Sequence, residues 1–230
     1  MESVEIKTFS EFVELIENAP TQDHLMLYRG QAVKRNLLPR IARSNPHIDT
    51  TDVEKKMLDE LRRLGAAFLS GNHDDDWELL VSAQHYGLAT RLLDWSSNPL
   101  AALWFACASE SRSDGYLYCL DTSDLIIPPG KGPFNLGKTR VFRPRMNNAR
   151  IVAQHGWFTA HCYSSGTEGF VRLEHNKVIK HQIVEVVIPE LYKKSLLKSL
   201  DRHGTSYRTL FPDLEGLCKY VTWKECGDGA

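Results

Sequence analysis

Residues Gln84–Cys107, QHYGLATRLLDWSSNPLAALWFAC, decide how the rest of the chain is read. Between His85 and Ser97 the stretch gathers His, Tyr, Thr, Arg, Asp, Trp and two Ser, then runs into a segment too apolar to face water. Ala89–Trp95 reads as a short extended piece. Asn98-Pro99 marks a helix start, with Asn98 as cap and Pro99 at the first helical position. The helix to Ala108 is apolar nearly all round and is therefore expected to be buried. Polar side chains where a strand feeds a buried helix are costly unless they hydrogen-bond something, and a ligand can be that partner.

Outward from this stretch, helical and extended patterns are mixed. Thr8 with Glu11 forms a capping box ahead of Phe12, Leu15 and Ile16, and Pro20 follows that short helix. His24–Tyr28 (HLMLY) reads as a strand ending in Arg29-Gly30, followed by a polar loop through Arg43–Asp49. Thr51 with Glu54 suggests a second capping box. Val53, Met57, Leu58, Leu61, Leu64 and Phe68 continue at helical spacing, with Gly71 as the stop. Trp77–His85 reads as a helix stopped by Gly87, and Tyr116–Leu120 as a strand after the Asp114-Gly115 turn. Asp121–Lys138 is a Pro- and Gly-rich loop. Short strands are expected near Arg140–Phe142, Phe158–Cys162 and Gly169–Leu173, with a short helix at Asn147–Ala153. Gln182–Ile188 (QIVEVVI) is the clearest strand. Leu191–Leu200 and Pro212–Tyr220 are helical. Without regular βαβ alternation the pattern favours an α+β fold. A single domain is expected, with residues 1–22 as a helical extension, 23–222 as the core and 223–230 as a tail.

The 230 residues fit one large domain, and 42% hydrophobic with 25% charged content suffices for a sizeable core. A formal charge of −1 excludes a strongly basic surface overall, so any nucleic-acid contact must come from a local patch. The five cysteines form no CxxC pair and read as reduced thiols of a cytoplasmic protein. No apolar run nears membrane-spanning length, and MESVEIKTF lacks the order of a signal peptide. His155, His161 and His203 have no zinc-like spacing, so no metal is expected. There is also no P-loop, Rossmann fingerprint or nucleophile elbow.

Tyr28-Arg29-Gly30, the central QHYGLATRLLDWS with its Ala-rich helix, and Leu210–Gly216 (LFPDLEG) together resemble the FRG domain family over roughly Leu27–Leu217. The family takes its name from the first motif, which here reads YRG. A strand carrying aromatic-Arg-Gly also resembles the first motif of ADP-ribosyltransferases of the Arg-Ser-Glu type, whose arginine supports the NAD phosphates and ribose. That resemblance implies an ADP-ribosyltransferase-like core with a mixed, mainly antiparallel sheet. It places Ser96, ahead of Ala102-Leu103-Trp104-Phe105, in the serine position. The third motif, a glutamate opening a late strand, is where the chain departs. By chain order its counterpart is Gln154, and a Gln-x-Glu pattern would put glutamate where Gly156 stands. Asp213 and Glu215 are the other candidate acids.

Chemistry gives each residue a role and a plainer alternative. Arginine's planar fork suits bidentate phosphate contacts, although Arg29 would equally suit a strand-end ion pair. Gly30 allows close backbone approach to a ligand. Tyr86 can stack on a base and His85 can bond a ribose hydroxyl, or both merely close a helix. Arg91 and Asp94 serve either a nucleotide or each other as an ion pair. Thr90 and Ser96 bond either ligand hydroxyls or backbone groups. A carboxylate beneath the anomeric carbon would stabilise oxocarbenium character and activate the acceptor. Glu215 and Asp213 fit that role, or serve the dipole of the helix after Pro212.

The expected activity is NAD-dependent ADP-ribosyl transfer by a bacterial toxin or phage-defence effector, with NAD as substrate. RNA is favoured over protein as acceptor, with Arg140, Arg143, Arg145 and Arg150 around Phe142 either holding a single-stranded nucleic acid or forming a solvated loop, and an antitoxin would restrain the toxin. The alternative is a non-catalytic nucleotide- or nucleic-acid-binding module, which glycine at 156 favours. A third class, an interaction domain with a purely structural polar motif, fits the density of unusual polar residues less well.

Overall fold

A computed structural model of the protein describes residues 1–19, 25–69, 74–108 and 112–227, leaving Pro20, His24 and Gly71 outside the described residues. Its centre is a seven-stranded sheet of β1 (Glu2–Glu5), β2 (Met26–Gln31), β3 (Leu92–Ser96), β4 (Gly115–Asp121), β5 (Arg140–Phe142), β6 (Gly156–Ala160) and β9 (Ile183–Ile188). The spatial order is β1-β9-β4-β2-β3-β6-β5. β1 runs parallel to β9 and all other neighbouring pairs are antiparallel. A separate ribbon pairs β7 (Tyr163–Ser164) with β8 (Gly169–Phe170). Around the sheet lie α1 (Phe9–Glu17), α2 (Thr51–Gly65), α3 (Asp76–His85), α4 (Pro99–Cys107), α5 (Ala149–Ala153), α6 (Glu190–Arg202), α7 (Tyr207–Leu210) and α8 (Leu214–Cys226). This is the α+β architecture expected from the mixed pattern. The N-terminal segment, expected to be helical, also supplies an edge strand to the sheet, and α8 runs past residue 222 into the expected tail. No helix among the described residues is long and apolar enough to cross a membrane.

Helix α4 is buried as its composition requires, and two glycines let it lie against the sheet. A Cβ on Gly30 would sit 1.9 Å from the Ala102 carbonyl oxygen, and one on Gly115 would sit 2.3 Å from that of Ala106. The alanines of α4 complete the close approach, since any larger side chain would hold the two backbones apart. Gly30 thus admits the α4 backbone, and it also lines the cleft described below. Asn98 caps α4 through bonds from Leu100 N (2.9 Å) and Ala101 N (3.4 Å).

The capping box of α1 forms as its spacing predicts, with Thr8 Oγ1 accepting from Glu11 N and Glu11 Oε2 from Thr8 N. The expected box at Thr51–Glu54 does not form. Thr50 is the cap position without a side-chain bond, and Glu54 turns fully inward. There it accepts from Arg91 N and Arg91 Nε, each at 2.6 Å. Because Glu54 takes the inward position, the buried stripe of α2 runs through Glu54, Leu58 and Gly65. Val53, Leu64 and Phe68, expected on the apolar face, are exposed.

Candidate functional site

β2 and β3 are joined by one residue pair, Tyr28 with Ser96, whereas β2 and β4 pair along six positions from Met26 to Gln31. Beyond Tyr28 the two strands therefore part, and a cleft of about 460 Å³ opens at the split. Helices α3, α4 and α5 border it through His85, Phe105 and Ile151. Strand alternation sends Arg29 to the face opposite Tyr28 and Gly30. Its guanidinium lies at the split, where Nη1 donates to the carbonyl oxygen of Asp94 at 2.6 Å. A side chain thus satisfies an acceptor that the interrupted ladder leaves open. Burial lowers the pKa of this guanidinium, with the Asp94 carboxylate opposing the shift. Its Nε is buried without a hydrogen-bond partner.

Asp94 is the only acid among the described residues lining the cleft, and its side chain is 61% exposed. Oδ2 lies 3.7 Å from Arg29 Nη1, and Oδ1 accepts from Gln84 Nε2 at 2.9 Å. The buried Thr90 hydroxyl donates to Gln84 Oε1 and so sets which way that amide faces. Thr90 is therefore two bonds behind the cleft rather than in it. On the other side of the sheet, Trp95 Nε1 donates to Thr159 Oγ1 at 3.0 Å, and Thr159 Oγ1 lies 3.1 Å from His161 Nε2. Burial, reinforced by the Arg29 and Arg91 cations, pushes His161 down to about 3. Neutral His161 is hydrogen-bonded to Thr159, and the relay holds the Trp95 ring at the back of the split.

Ser96 and the start of β6 meet here, since Ser96 pairs directly with Gly156. The Ser96 hydroxyl is committed to backbone: it donates to the Gln154 carbonyl oxygen at 2.6 Å and accepts from Asn98 N at 2.9 Å. Gln154 lines the cleft and its Nε2 donates to the Leu210 carbonyl oxygen at 3.1 Å. His155, at φ 49°, turns the chain from α5 into β6 and brings Gly156 opposite Ser96. A Cβ on Gly156 would lie 3.2 Å from Ile151 Cγ2, so a small shift of that side chain would admit one.

The far wall carries Arg150, which bonds Asp213 Oδ2 through Nη2 at 2.6 Å and covers the Phe211 ring at 5.3 Å. Asp213 caps α8, accepting from Gly216 N at 2.8 Å. That backbone N–H, then Arg150, holds its pKa below the usual carboxylate range. Glu215 pairs with Lys219 at 2.7 Å and borders a different cavity, between α4, α6 and α8. His85 lines the cleft, its pKa lowered by burial and then by Arg150, whereas Tyr86 is 80% exposed and outside the lining.

Arg91 does not pair with Asp94. The two alternate along the chain onto opposite sides, and Arg91 is sealed against Glu54 with Pro133 O and Thr51 Oγ1 as further acceptors and the Phe134 ring 4.4 Å away. The basic set divides as well. Phe142 stacks on Trp77 with ring centroids 4.3 Å apart, Arg140 bonds the Asp124 carbonyl and Arg145 pairs with Glu78. Of the four arginines Arg150 lines the cleft, and Arg143 lies over the ring of Trp157, a lining residue. Sequence reasoning missed Gln84, Arg40 and Arg43. Gln84 opens the central motif, while nothing in the spacing of the two arginines marks them.

The FRG domain family matches residues 24–115, which supports that resemblance over β2, α2, α3, β3 and α4. The match is shorter than the span to Leu217 expected from the motifs. No curated protein and no solved structure matches the chain.

Proposed function

We propose that the protein is an NAD-dependent ADP-ribosyltransferase acting on a macromolecule. The observation that carries this reading is the convergence of Arg29, Ser96 and the start of β6 on one cleft at the sheet's split. Its four lining arginines, Arg29, Arg40, Arg43 and Arg150, suit a ligand with a diphosphate. Its volume lies within the range of small-molecule sites. In the reaction the nicotinamide–ribose C–N bond breaks and nicotinamide leaves with the bonding pair. The acceptor nucleophile bonds the anomeric carbon and gives up its proton. Asp94, held by Gln84 and Arg29, is the carboxylate available to stabilise the oxocarbenium charge and receive that proton. Ser96 ties β3 to the end of α5 and so fixes the cleft's shape. A toxin or phage-defence role, with a restraining antitoxin, follows from the same reading.

A second reading, a nucleotide-binding module without chemistry, is favoured by glycine at 156, where the transferase pattern carries glutamate. Incubation with NAD labelled on the adenylate phosphate, together with RNA and protein extract, separates the two. Label in an RNase-sensitive fraction supports the transferase with RNA as acceptor; label in a protease-sensitive fraction supports it with protein as acceptor. Thermal protection by NAD without label transfer selects the binding module.

A further inference from the structure

The geometry points to a diphosphate-binding subsite made by Arg40 and Arg43 beside Arg29, so that the cleft recognises nucleotides through a diphosphate whether or not a nicotinamide is attached. This deepens the nucleotide reading of the cleft and rests on it. The two arginines stand three residues apart on a 3₁₀ turn, Arg40–Ala42 with Arg43 at its end. On such a turn, positions i and i+3 eclipse, so both side chains leave from the same side. The turn is anchored: Leu37, Leu38 and Ala42 are buried, Leu37 N donates to the Glu174 carboxylate at 3.1 Å, and Ile41 N donates to the Thr90 carbonyl at 3.4 Å.

Neither arginine has a carboxylate within ion-pair distance among the described residues. Arg40 Nη1 donates to the Gly87 carbonyl at 2.7 Å and Arg43 Nε to that of Leu38 at 3.2 Å, which leaves donors of both forks unused. Burial lowers the pKa of Arg43; Asp94 opposes that shift, and Arg35 and Arg40 add to it. At the far wall Arg150 is neutralised by Asp213. The excess positive charge therefore lies on the Arg29–Arg40–Arg43 side, where Asp94 is the only acid of the lining. Like charges held together on an anchored turn, with no carboxylate in ion-pair distance among the described residues, are stabilised by a bound polyanion.

Calorimetric titration of the full chain at low salt with adenosine, AMP, ADP and NAD tests this. ADP and NAD are expected to bind more tightly than AMP, and AMP more tightly than adenosine. The Arg40→Gln/Arg43→Gln variant is expected to lose roughly tenfold to a hundredfold on ADP and NAD, the range for charge-assisted hydrogen bonds, with adenosine unaffected. Lysine at both positions should restore only part of the loss, because charge returns without the fork. ADP binding that is undiminished in the glutamine variant overturns the subsite and leaves the NAD reading standing. A parent that binds ADP but never turns over NAD supports the subsite and removes the transferase. If the glutamine variant does not fold, titrating the parent against salt decides instead. ADP affinity that falls as salt rises supports the subsite, and a flat response overturns it.

Discussion

The two walls of the cleft are held by different physics. The wall from β2, α3, β3 and α4 lies within the matched residues and rests on buried contacts: two glycine–backbone approaches and the sealed Arg91–Glu54 pair. The wall from α5, β6, α7 and the start of α8 is fastened by the part-exposed Arg150–Asp213 pair and the Gln154–Leu210 bond. Solvent screens the second set, whereas removing one partner from the first strands a buried charge or forces backbones apart. The first wall fixes where the cleft opens. The second can change in sequence at small cost to the fold.

The largest test of this contrast is stability. Arg91→Ala should cost about 3–5 kcal/mol by leaving Glu54 buried and unpaired, against at most about 1 kcal/mol for Arg150→Ala. Paired urea melts would measure both, and equal losses would erase the distinction between the walls. Gly30→Ala is expected to prevent α4 from docking and to give little folded protein, read by circular dichroism.

Activity should divide the acids in the same way. Asp94→Asn is expected to reduce NAD turnover by roughly 10²-fold, whereas Glu215→Gln leaves it unchanged. The reverse pattern would move the chemistry to the second wall. A smaller effect concerns pH. His161 is neutral in the fold down to about 3 but takes a proton near 6.5 when unfolded. Between those values the unfolded state binds more protons, so stability falls as pH drops. The His161 contribution to that loss is about 2 kcal/mol by pH 5. Denaturant midpoints at pH 7 and pH 5 should show that part of the slope removed in His161→Gln. The smallest change expected is from Thr90→Val, which frees the Gln84 amide to flip and should weaken NAD binding several-fold with the fold retained. Gly156→Glu sharpens the comparison from the other side. It restores the expected acid on the second wall after a small shift of Ile151, and should raise NAD consumption if that wall can support chemistry.

Much of the fold was legible because it is local. The Thr8–Glu11 box, the Asn98-Pro99 start of α4 and the apolar run of β9 depend on residues a few positions apart. The α2 box failed for the opposite reason. Its glutamate serves an arginine 37 positions away, and a buried guanidinium is a stronger claim on a carboxylate than a backbone N–H facing water. Of the site, Arg29, Asp94, Ser96, His85 and Gln154 were named from sequence and do line one cleft. Gly30 lines it too while admitting the α4 backbone; Arg91, Tyr86, Thr90 and Glu215 were named beside them, but their surroundings differ: a buried pair, open solvent, a relay behind the floor and another cavity.

By itself the sequence determined most of the longer helices and strands, that α4 must be buried, and that a dense polar motif stands at its door. Only the tertiary structure decided that β2 and β3 part after a single pair, that Arg40 and Arg43 face the opening, and that Arg150 is already neutralised. Each of these is a pairing between distant residues. Local propensity carries no record of such partners, because they are chosen by burial and charge once the sheet has closed around them.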